Sequence, residues 1–579
     1  MPAIPWRSSA CSMLDRQKIL VLGADDRATL AVVRSLGRAG VEVHVACCLR
    51  HDPPAQSTYC FKRHALPPLV DYQAWIKALA DLMRKERFTL VLPVSDDRII
   101  IPLRRHAAEL GRVGQIYQPN DRAFLYSYDK SKTLEMARMI GIPVPRYVVV
   151  ARGEEVPQEV LQWDLPLVLR PVSSFDLCEP GPEKWKAQFV FSRAELLDCL
   201  RSLTRETPTI VQEAVPGQGV GLGVLGHEGE CLAVFQHLRI HEAPSGSGSS
   251  FRRSTPLHAG MAEAVRRITA FVDLSGVLMV EFKWNAATDD WWLIEVNGRF
   301  WGSLPLAVAA GADFPAWLVQ TTVCGRRSLP RCYDTDLYAR NWRKDLGWFL
   351  QNLRADRSNP FLVTRPIAAA MKDMLSGCVH RGVSDSSVPD DPAPPLRFYF
   401  RLYHRLCALC CQALQHLPLI RKKSYLSALS RWESAAHVLF LCHGNICRSP
   451  FAEEIARRFH SGKVFSSAGF HRQAGRQAPE TARRVATEVG ITLEHHRSRI
   501  VNREIVEQAD LIIVFDARNM GRLNERLKPN ARRAIYFGSL APRGRLSVAD
   551  PAGSGPEAFV SCFRQIERTI AGIGSWRPR

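Results

Sequence analysis

Short apolar runs closed by glycine, proline or polar clusters recur along this chain, and their periods predict an α/β protein built in more than one part. From Lys18 the text KILVLGADDRATLAVVRSLGRAGVEVHVACC reads as strand, helix, strand. A helix near Tyr72 to Arg87 and a strand at Phe88 to Pro93 follow, which together predict a small parallel sheet with helices outside. A lone Gly23 after the first strand is as consistent with a tight turn as with a nucleotide site. In the run Ser95-Asp96-Asp97, Ser95 and Asp96 either face a substrate cleft or belong to an ordinary strand-end turn. Asp129-Lys130 opens a helix that ends at Gly141, and the strands PLVLRP and TIVQE bring Arg170 and Glu213 to strand ends. Two further strands, VLMVEFKW and WWLIEVN, flank a polar turn region from Asn285 to Asp290. Pairing antiparallel about Thr288 sets Glu281 opposite Glu295, with Val280, Phe282, Ile294 and Val296 on the buried face.

Beyond Arg331 the signals soften. YARNWRKDLGWFLQNL and PFLVTRPIAAAMKDMLSG read as helices, and SDSSVPDDPAPP as a flexible or extended linker. Residues 396–417 place Tyr399, Leu402, Leu406, Leu409, Ala413 and Leu417 on one helical stripe and Arg397, Arg401 and Arg405 on another. Such a helix packs on a neighbouring domain or lies on a membrane surface, and the first is the commoner outcome. The last block alternates strands 437–441, 464–467, 510–515 and 533–537 with helices, which predicts a four-stranded parallel sheet. The expected divisions are a tail 1–16, an α/β domain 17–120, an α+β domain 121–330, a helical extension and linker 331–434, and a compact domain 435–579.

Composition narrows the class. A chain of 579 residues, 46% hydrophobic and 23% charged, has material for several packed cores. No apolar run approaches the ~20 residues of a membrane span. There is no apolar signal segment near the start, so the 16 cysteines are expected as thiols in the cytoplasm rather than as disulfides. The formal net charge of +20 is spread along the chain, which favours a solvated surface over nucleic-acid binding.

The chemistry concentrates in HVLFLCHGNICRSP, His437 to Pro450. Cys442 ends an apolar strand, and five residues later Arg448 precedes Ser449-Pro450, which read as the N-cap and first position of a helix. The amides of His443, Gly444, Asn445, Ile446 and Cys447, with the helix N-terminus, predict a nest for an oxyanion that Arg448 grips as a fork. That field favours a thiolate at Cys442, hence phosphoryl transfer through a phosphocysteine. Asp550-Pro551 in a glycine-rich loop offers a carboxyl to protonate the leaving oxygen and then activate water.

This block resembles the low-molecular-weight protein tyrosine phosphatases from about Ala435 onward, with SSAGF, HHRSR and DLIIVFDARNM as further matches. The resemblance implies Cys442 as nucleophile, Arg448 as phosphate clamp, Asp550 as general acid, Asn445 as loop-shaping residue and Ser449 as the hydroxyl that helps the thiolate leave. Phosphotyrosine proteins or small phosphomonoesters are the implied substrates. The aromatic pair that follows Asp-Pro in the family is replaced by Ala552-Gly553, and Gln473 or its neighbours replace another aromatic wall. Cys447 suits either a reversible disulfide with Cys442 or plain packing. An arsenate reductase is the rival reading, since arsenate fits the same nest.

Residues 17–330 resemble an ATP-grasp enzyme of the carboxylate–amine ligase kind, on Asp129-Lys130, PLVLRP, QEAVPG and the pair Glu281 with Glu295-Val296-Asn297-Gly298-Arg299. Facing carboxylates with an amide oxygen are unfavourable unless a cation sits between them, and hard oxygens select Mg²⁺. The resemblance implies ATP as substrate. Lys130 and Arg170 would meet its phosphates, Glu213 would lie at the adenosine hinge, and Arg299 would face the acyl or γ-phosphate. Mg²⁺ would rest on Glu281, Glu295 and Asn297. Arg170 stands where lysine is usual. Carboxylate and amine small molecules are the implied partners, with Arg239, Arg252 and Arg253 open either to an anionic substrate or to a surface-loop role. In a rival reading this half only senses nucleotide and regulates the phosphatase.

Overall fold

The structure, a computed structural model, describes residues 14–573 except 16, 24–25, 48–52, 68, 70, 96, 155–156, 175–186, 243–247, 356–363, 377–381, 393–417, 472, 527–532, 545 and 553–554. The amphipathic stretch 396–417 and Asp96 therefore lie outside the described residues. The chain divides into two units, Met1–Leu396 and Arg397–Arg579.

In the first unit β1 (Lys18–Leu22), β2 (Glu42–Cys47), β3 (Lys62–Ala65) and β4 (Leu90–Pro93) form a parallel sheet in the order β3-β2-β1-β4. Every residue of β4 is buried, as expected for a strand covered on both faces. Beyond its carboxyl end the helix Asp97–Arg105 begins, with Asp97 in its first turn. A second sheet is antiparallel, β5 (Tyr147–Val150), β6 (Leu167–Pro171), β7 (Gln188–Val190) and β8 (Thr209–Glu213), in the order β5-β8-β6-β7. The helix Lys130–Met139 starts as the sequence predicts, with the Asp129 carboxylate accepting from the Ser131 and Lys132 amides.

The large sheet has seven strands: β9 (Gln218–His227), β10 (Glu230–Glu242), β11 (Ser249–Ser254), β12 (Gly276–Asn285), β13 (Asp290–Asn297), β14 (Tyr338–Arg340) and β15 (Gly382–Ser384). Their order is β13-β12-β9-β10-β11-β14-β15. Glu281 pairs with Glu295 as the centre at Thr288 predicts, but the register shifts between Glu281 and Phe282. Ile294 is thereby the extra residue of a bulge. It is only half-buried, and Leu293 takes the core position expected of Ile294.

Three expectations change here. Arg239 and Arg252, open in the sequence to a surface-loop role, stand opposite each other on the strands β10 and β11. Residues Tyr338–Arg340, expected to be helical, extend the sheet as β14, and the helix starts only at Trp342. The first half of the expected flexible linker is pinned down: Asp385 takes two 2.6 Å hydrogen bonds from Arg252, and Asp391 one of 2.8 Å from Arg34. Both aspartates are buried, so paired charge rather than composition decides the conformation of this segment.

In the second unit β16 (His437–Cys442), β17 (Val464–Gly469), β18 (Leu511–Val514) and β19 (Ala534–Tyr536) form the expected parallel sheet, in the order β17-β16-β18-β19. β16 is central, and all but its first residue are buried. Helices Arg448–Phe459 and Pro556–Ala571 meet on one side, where Phe451 and Phe563 stack with centroids 3.9 Å apart. The helix Pro418–Ser434, read from sequence as part of a linker, adds Ala428 and Trp432 to this core. Its buried Arg421 donates to the carbonyls of Gly538 and Ala541 at 2.6 and 2.8 Å.

Candidate active site

Cys442 ends β16 opposite Gly469, the last residue of β17. A Cβ at position 469 would lie 2.8 Å from the Asn445 nitrogen, so only glycine lets the loop after Cys442 close against this strand. The loop turns at Asn445, whose φ of +53° an asparagine tolerates better than most residues. Its carbonyl oxygens are held outward. That of Cys442 accepts from the Phe470 amide at 3.3 Å and that of His443 from the His471 amide at 2.8 Å. Those of Gly444 and Asn445 accept from Arg476 Nη2 and His496 Nε2 at 2.6 and 2.7 Å. With the carbonyls turned away, the N–H groups are left for the concave side.

The sulfur sits in that concavity. The Asn445 amide donates to Cys442 Sγ at 3.1 Å, and Ser449 Oγ lies 3.0 Å from it. Asn445 Nδ2 donates to Ser449 Oγ at 3.0 Å and to Ser467 Oγ at 2.8 Å, while its Oδ1 accepts from the Arg499 amide at 2.7 Å. Asn445 thus joins strand, loop and helix in one buried network. The expected capping role of Ser449 does not hold. The helix begins at Arg448, Cys447 occupies the cap position, and the serine hydroxyl is committed to the sulfur instead.

Arg448 is 1% exposed, yet its charge is fully compensated. Nη1 donates to Asp516 Oδ2 at 2.7 Å and to the Val548 carbonyl at 3.0 Å, and Nη2 to Asp550 Oδ2 at 2.6 Å. Burial opposes the guanidinium, but the neighbouring Cys442, Asp550 and Asp516 outweigh it and raise its pKa. Its Nε–H is buried with no protein partner, a donor left over for an anion's oxygen. Asp550 is 42% exposed at the mouth. His443 touches Arg522, and its pKa is lowered by burial, then by Arg522 and His471. Ile446 packs against the core from the loop. Burial pushes the Cys447 thiol strongly up and that of Cys562 to about 12.

A strand-end thiol, an orphan guanidinium donor, an outward-facing set of carbonyls and a carboxylate at the rim make a phosphomonoester site. Residues 437–574 match the low molecular weight phosphotyrosine protein phosphatases. The chain belongs to that family. Over 133 residues it is 32% identical to the low molecular weight protein-tyrosine-phosphatase Wzb of Escherichia coli K12, covering 23% of this chain and 89% of that protein. It is 30% identical over 142 residues to a probable phosphatase, EpsP, of Ralstonia nicotianae, covering 24% of this chain and 94% of that one. Over the first unit the comparison differs in kind. A solved N5-carboxyaminoimidazole ribonucleotide synthetase in complex with ADP aligns with 63% of this chain and 96% of its own at 16% identity, TM-score 0.46.

The phosphatase residues missed from sequence are Asp516, Ser467, His496 and Arg499. Asp516 follows the apolar run of β18 at the same strand end as Cys442, inside the matching segment DLIIVFDARNM, and its role is what the sequence left unassigned.

The first unit's candidate residues meet only in part. Lys130, Glu295, Asn297 and Arg299 line one cavity, together with Asp97 and Tyr128. Arg299 Nε donates to Asp97 Oδ1 at 2.8 Å, a pairing not foreseen. Burial opposes the charge of Arg299, but Asp97 and other anionic neighbours raise its pKa. Lys130 Nζ lies 4.0 Å from Glu295 and donates to Ser174 Oγ at 3.3 Å. Arg170 is buried beneath, donating to the Ile294 carbonyl at 2.7 Å and lying 3.4 Å from Glu295. Glu281, facing Glu295 in register, is held 2.5 Å from Arg239. Glu213 ends β8, its amide donating to the Arg146 carbonyl at 3.0 Å. Arg252 is spent on Asp385, and Arg253 lies 3.5 Å from Asp336.

Proposed function

We propose that the second unit hydrolyses phosphotyrosine-type monoesters through a phosphocysteine. The observation that carries this is the buried Cys442 sulfur under the Asn445 amide and the Ser449 hydroxyl, with Arg448 beside it. In this reading the thiolate attacks phosphorus in line while the P–O bond to the leaving group breaks. Asp550 delivers the proton to the departing oxygen and then takes one from the water that cleaves the P–S bond. Ser449 donates to the sulfur as it leaves. Arg448, held in place by Asp516, offers its unpartnered Nε–H and a second N–H to two oxygens of the transferring group. Cysteine at 442 is essential in this scheme: a Cys442→Ser protein that hydrolysed an aryl phosphate at the wild-type rate would end it.

For the first unit we infer Mg·ATP binding and activation of a carboxylate as its acyl phosphate, ready for attack by an amine. Support comes from the donor set. Hard oxygens of Glu281, Glu295 and Asn297 fit a magnesium ion, and the cations now paired to those carboxylates, Arg239, Arg170 and Lys130, suit a polyphosphate. Bound there, the ion would neutralise charge on the transferring phosphoryl group. Lys130 and Arg299 would orient that group, and Asp97 would hold Arg299 in place. ADP release from the full chain with Mg·ATP, screened over carboxylates and amines, tests this. Nucleotide binding without ADP release across the whole panel would leave the sensing role instead. We infer a reducing, cytoplasmic setting, which a catalytic thiolate supports.

A further inference from the structure

Among the described residues, the first unit exposes thirteen large apolar side chains, and six of them lie between Trp342 and Met371. They are Trp342, Leu346, Leu350 and Leu353 on the helix Trp342–Arg354, and Ile367 and Met371 on the helix Ile367–Ser376. At about 100° per residue the first four fall within an arc of about 80°. This helix is inverted relative to an ordinary surface helix, which turns its apolar stripe inward. What it buries is two polar side chains and Trp348. Asp345, wholly buried, accepts from Ser250 Oγ and His241 Nδ1 at 2.6 and 2.7 Å. Asn352, also wholly buried, exchanges two hydrogen bonds with the Arg365 backbone at 2.9 and 2.7 Å. Trp348 stacks on His241 at 3.5 Å. These contacts lock the helix with its leucines outward, so their exposure is specified by the fold.

Among the described residues of these two helices, the exposed charges have one sign. Lys344, Arg354 and Lys372 are exposed. The only carboxylates on the two helices are Asp345, which is buried, and Asp373, which is occupied by Arg365 at 2.5 Å and His241 at 3.2 Å. Leucines with a flanking tryptophan and exposed lysine and arginine on the same helices are complementary to an anionic lipid surface, where leucine enters the acyl boundary and lysine and arginine meet phosphate. We propose that the first unit binds the surface of an anionic bilayer through the helices Trp342–Arg354 and Ile367–Ser376. No helix among the described residues is long and apolar enough to cross a membrane, and this mode needs none.

Co-sedimentation of the full chain with vesicles tests it. Wild type is expected to sediment with vesicles of phosphatidylcholine and phosphatidylglycerol and not with phosphatidylcholine alone, and 0.5 M salt is expected to weaken binding. The double variant Leu346→Glu, Leu350→Glu is expected to bind at least about tenfold more weakly. The triple variant Lys344→Glu, Arg354→Glu, Lys372→Glu, altered only at exposed side chains, is expected to lose the preference for anionic lipid. Far-UV circular dichroism and melting confirm that each variant is folded. Three results overturn the proposal: no vesicle binding by wild type; both variants binding as wild type does, which would assign the contact to another segment such as residues 396–417; or light scattering that shows a dimer dispersed by the double variant, which would make the stripe a self-association face.

Discussion

The loop from Cys442 to Arg448 and the cavity around Lys130 and Glu295 both suit phosphate, yet they are built on opposite plans. In the phosphatase loop the anion-binding groups are consecutive, and distant residues serve to hold them. Ser467, Arg499 and His496 fix Asn445, while Asp516 fixes Arg448. In the cavity of the first unit the groups come singly from separate elements and neutralise one another, Arg299 with Asp97 and Glu281 with Arg239. A loop whose donors are fixed in advance stabilises a transition state without reorganising. A cavity of mutual ion pairs must trade partners before it binds, so its affinity depends on what the ligand brings.

The sharpest way to break this contrast is Cys442→Ser. Removing the nucleophile is expected to lower kcat for an aryl phosphate by at least about 10⁴-fold, while phosphate binding, read by calorimetry, persists because the nest remains. Next in size is Arg448→Lys, expected to cost about 10²–10³-fold in kcat, since an ammonium supplies no planar fork to two oxygens. In the first unit, Lys130→Ala and Glu295→Gln are each expected to weaken Mg·ATP binding by at least about tenfold, read by calorimetry. Phosphatase turnover should stay at wild type in both. Either variant lowering that turnover would show that the two chemistries are coupled.

The smallest expected effect concerns pH. Burial and the neighbouring His44 lower the pKa of His64 from 6.5 to about 4, and His44 Nδ1 lies 2.7 Å from His64 Nε2. The unfolded chain then takes up a proton that the folded chain refuses. The contribution of His64 is therefore full above pH 6.5 and lost as pH falls toward 4. Melting of the full chain between these limits should show an acid-sensitive transition that His64→Gln flattens.

Local chemistry was legible wherever neighbours in sequence are neighbours in space. Cys442, Asn445 and Arg448 share one short loop, and the hairpin about Thr288 placed Glu281 against Glu295 correctly. Ser449 was misread as a cap, because a serine before a proline carries the same letters whether its hydroxyl turns to an amide or to a sulfur. Asp516 and Asp97 were missed for a different reason: each meets its arginine across a large separation in the chain, and nothing local records that pairing. The bulge at Ile294 and the docked strap at Asp385 and Asp391 also follow from partners far away.

By itself, then, the sequence determined the four parallel strands of the second unit, the hairpin about Thr288 and the identity of the nucleophilic loop, since hydrophobic period and turn chemistry are properties of adjacent residues. Tertiary structure alone decided which charges neutralise which, where Ser449 spends its hydroxyl, and that the helix after Trp342 shows its leucines to solvent. The physical reason is the same in each case. A buried polar group takes the partner that the fold brings within hydrogen-bonding distance, and residues remote in the chain supply that partner.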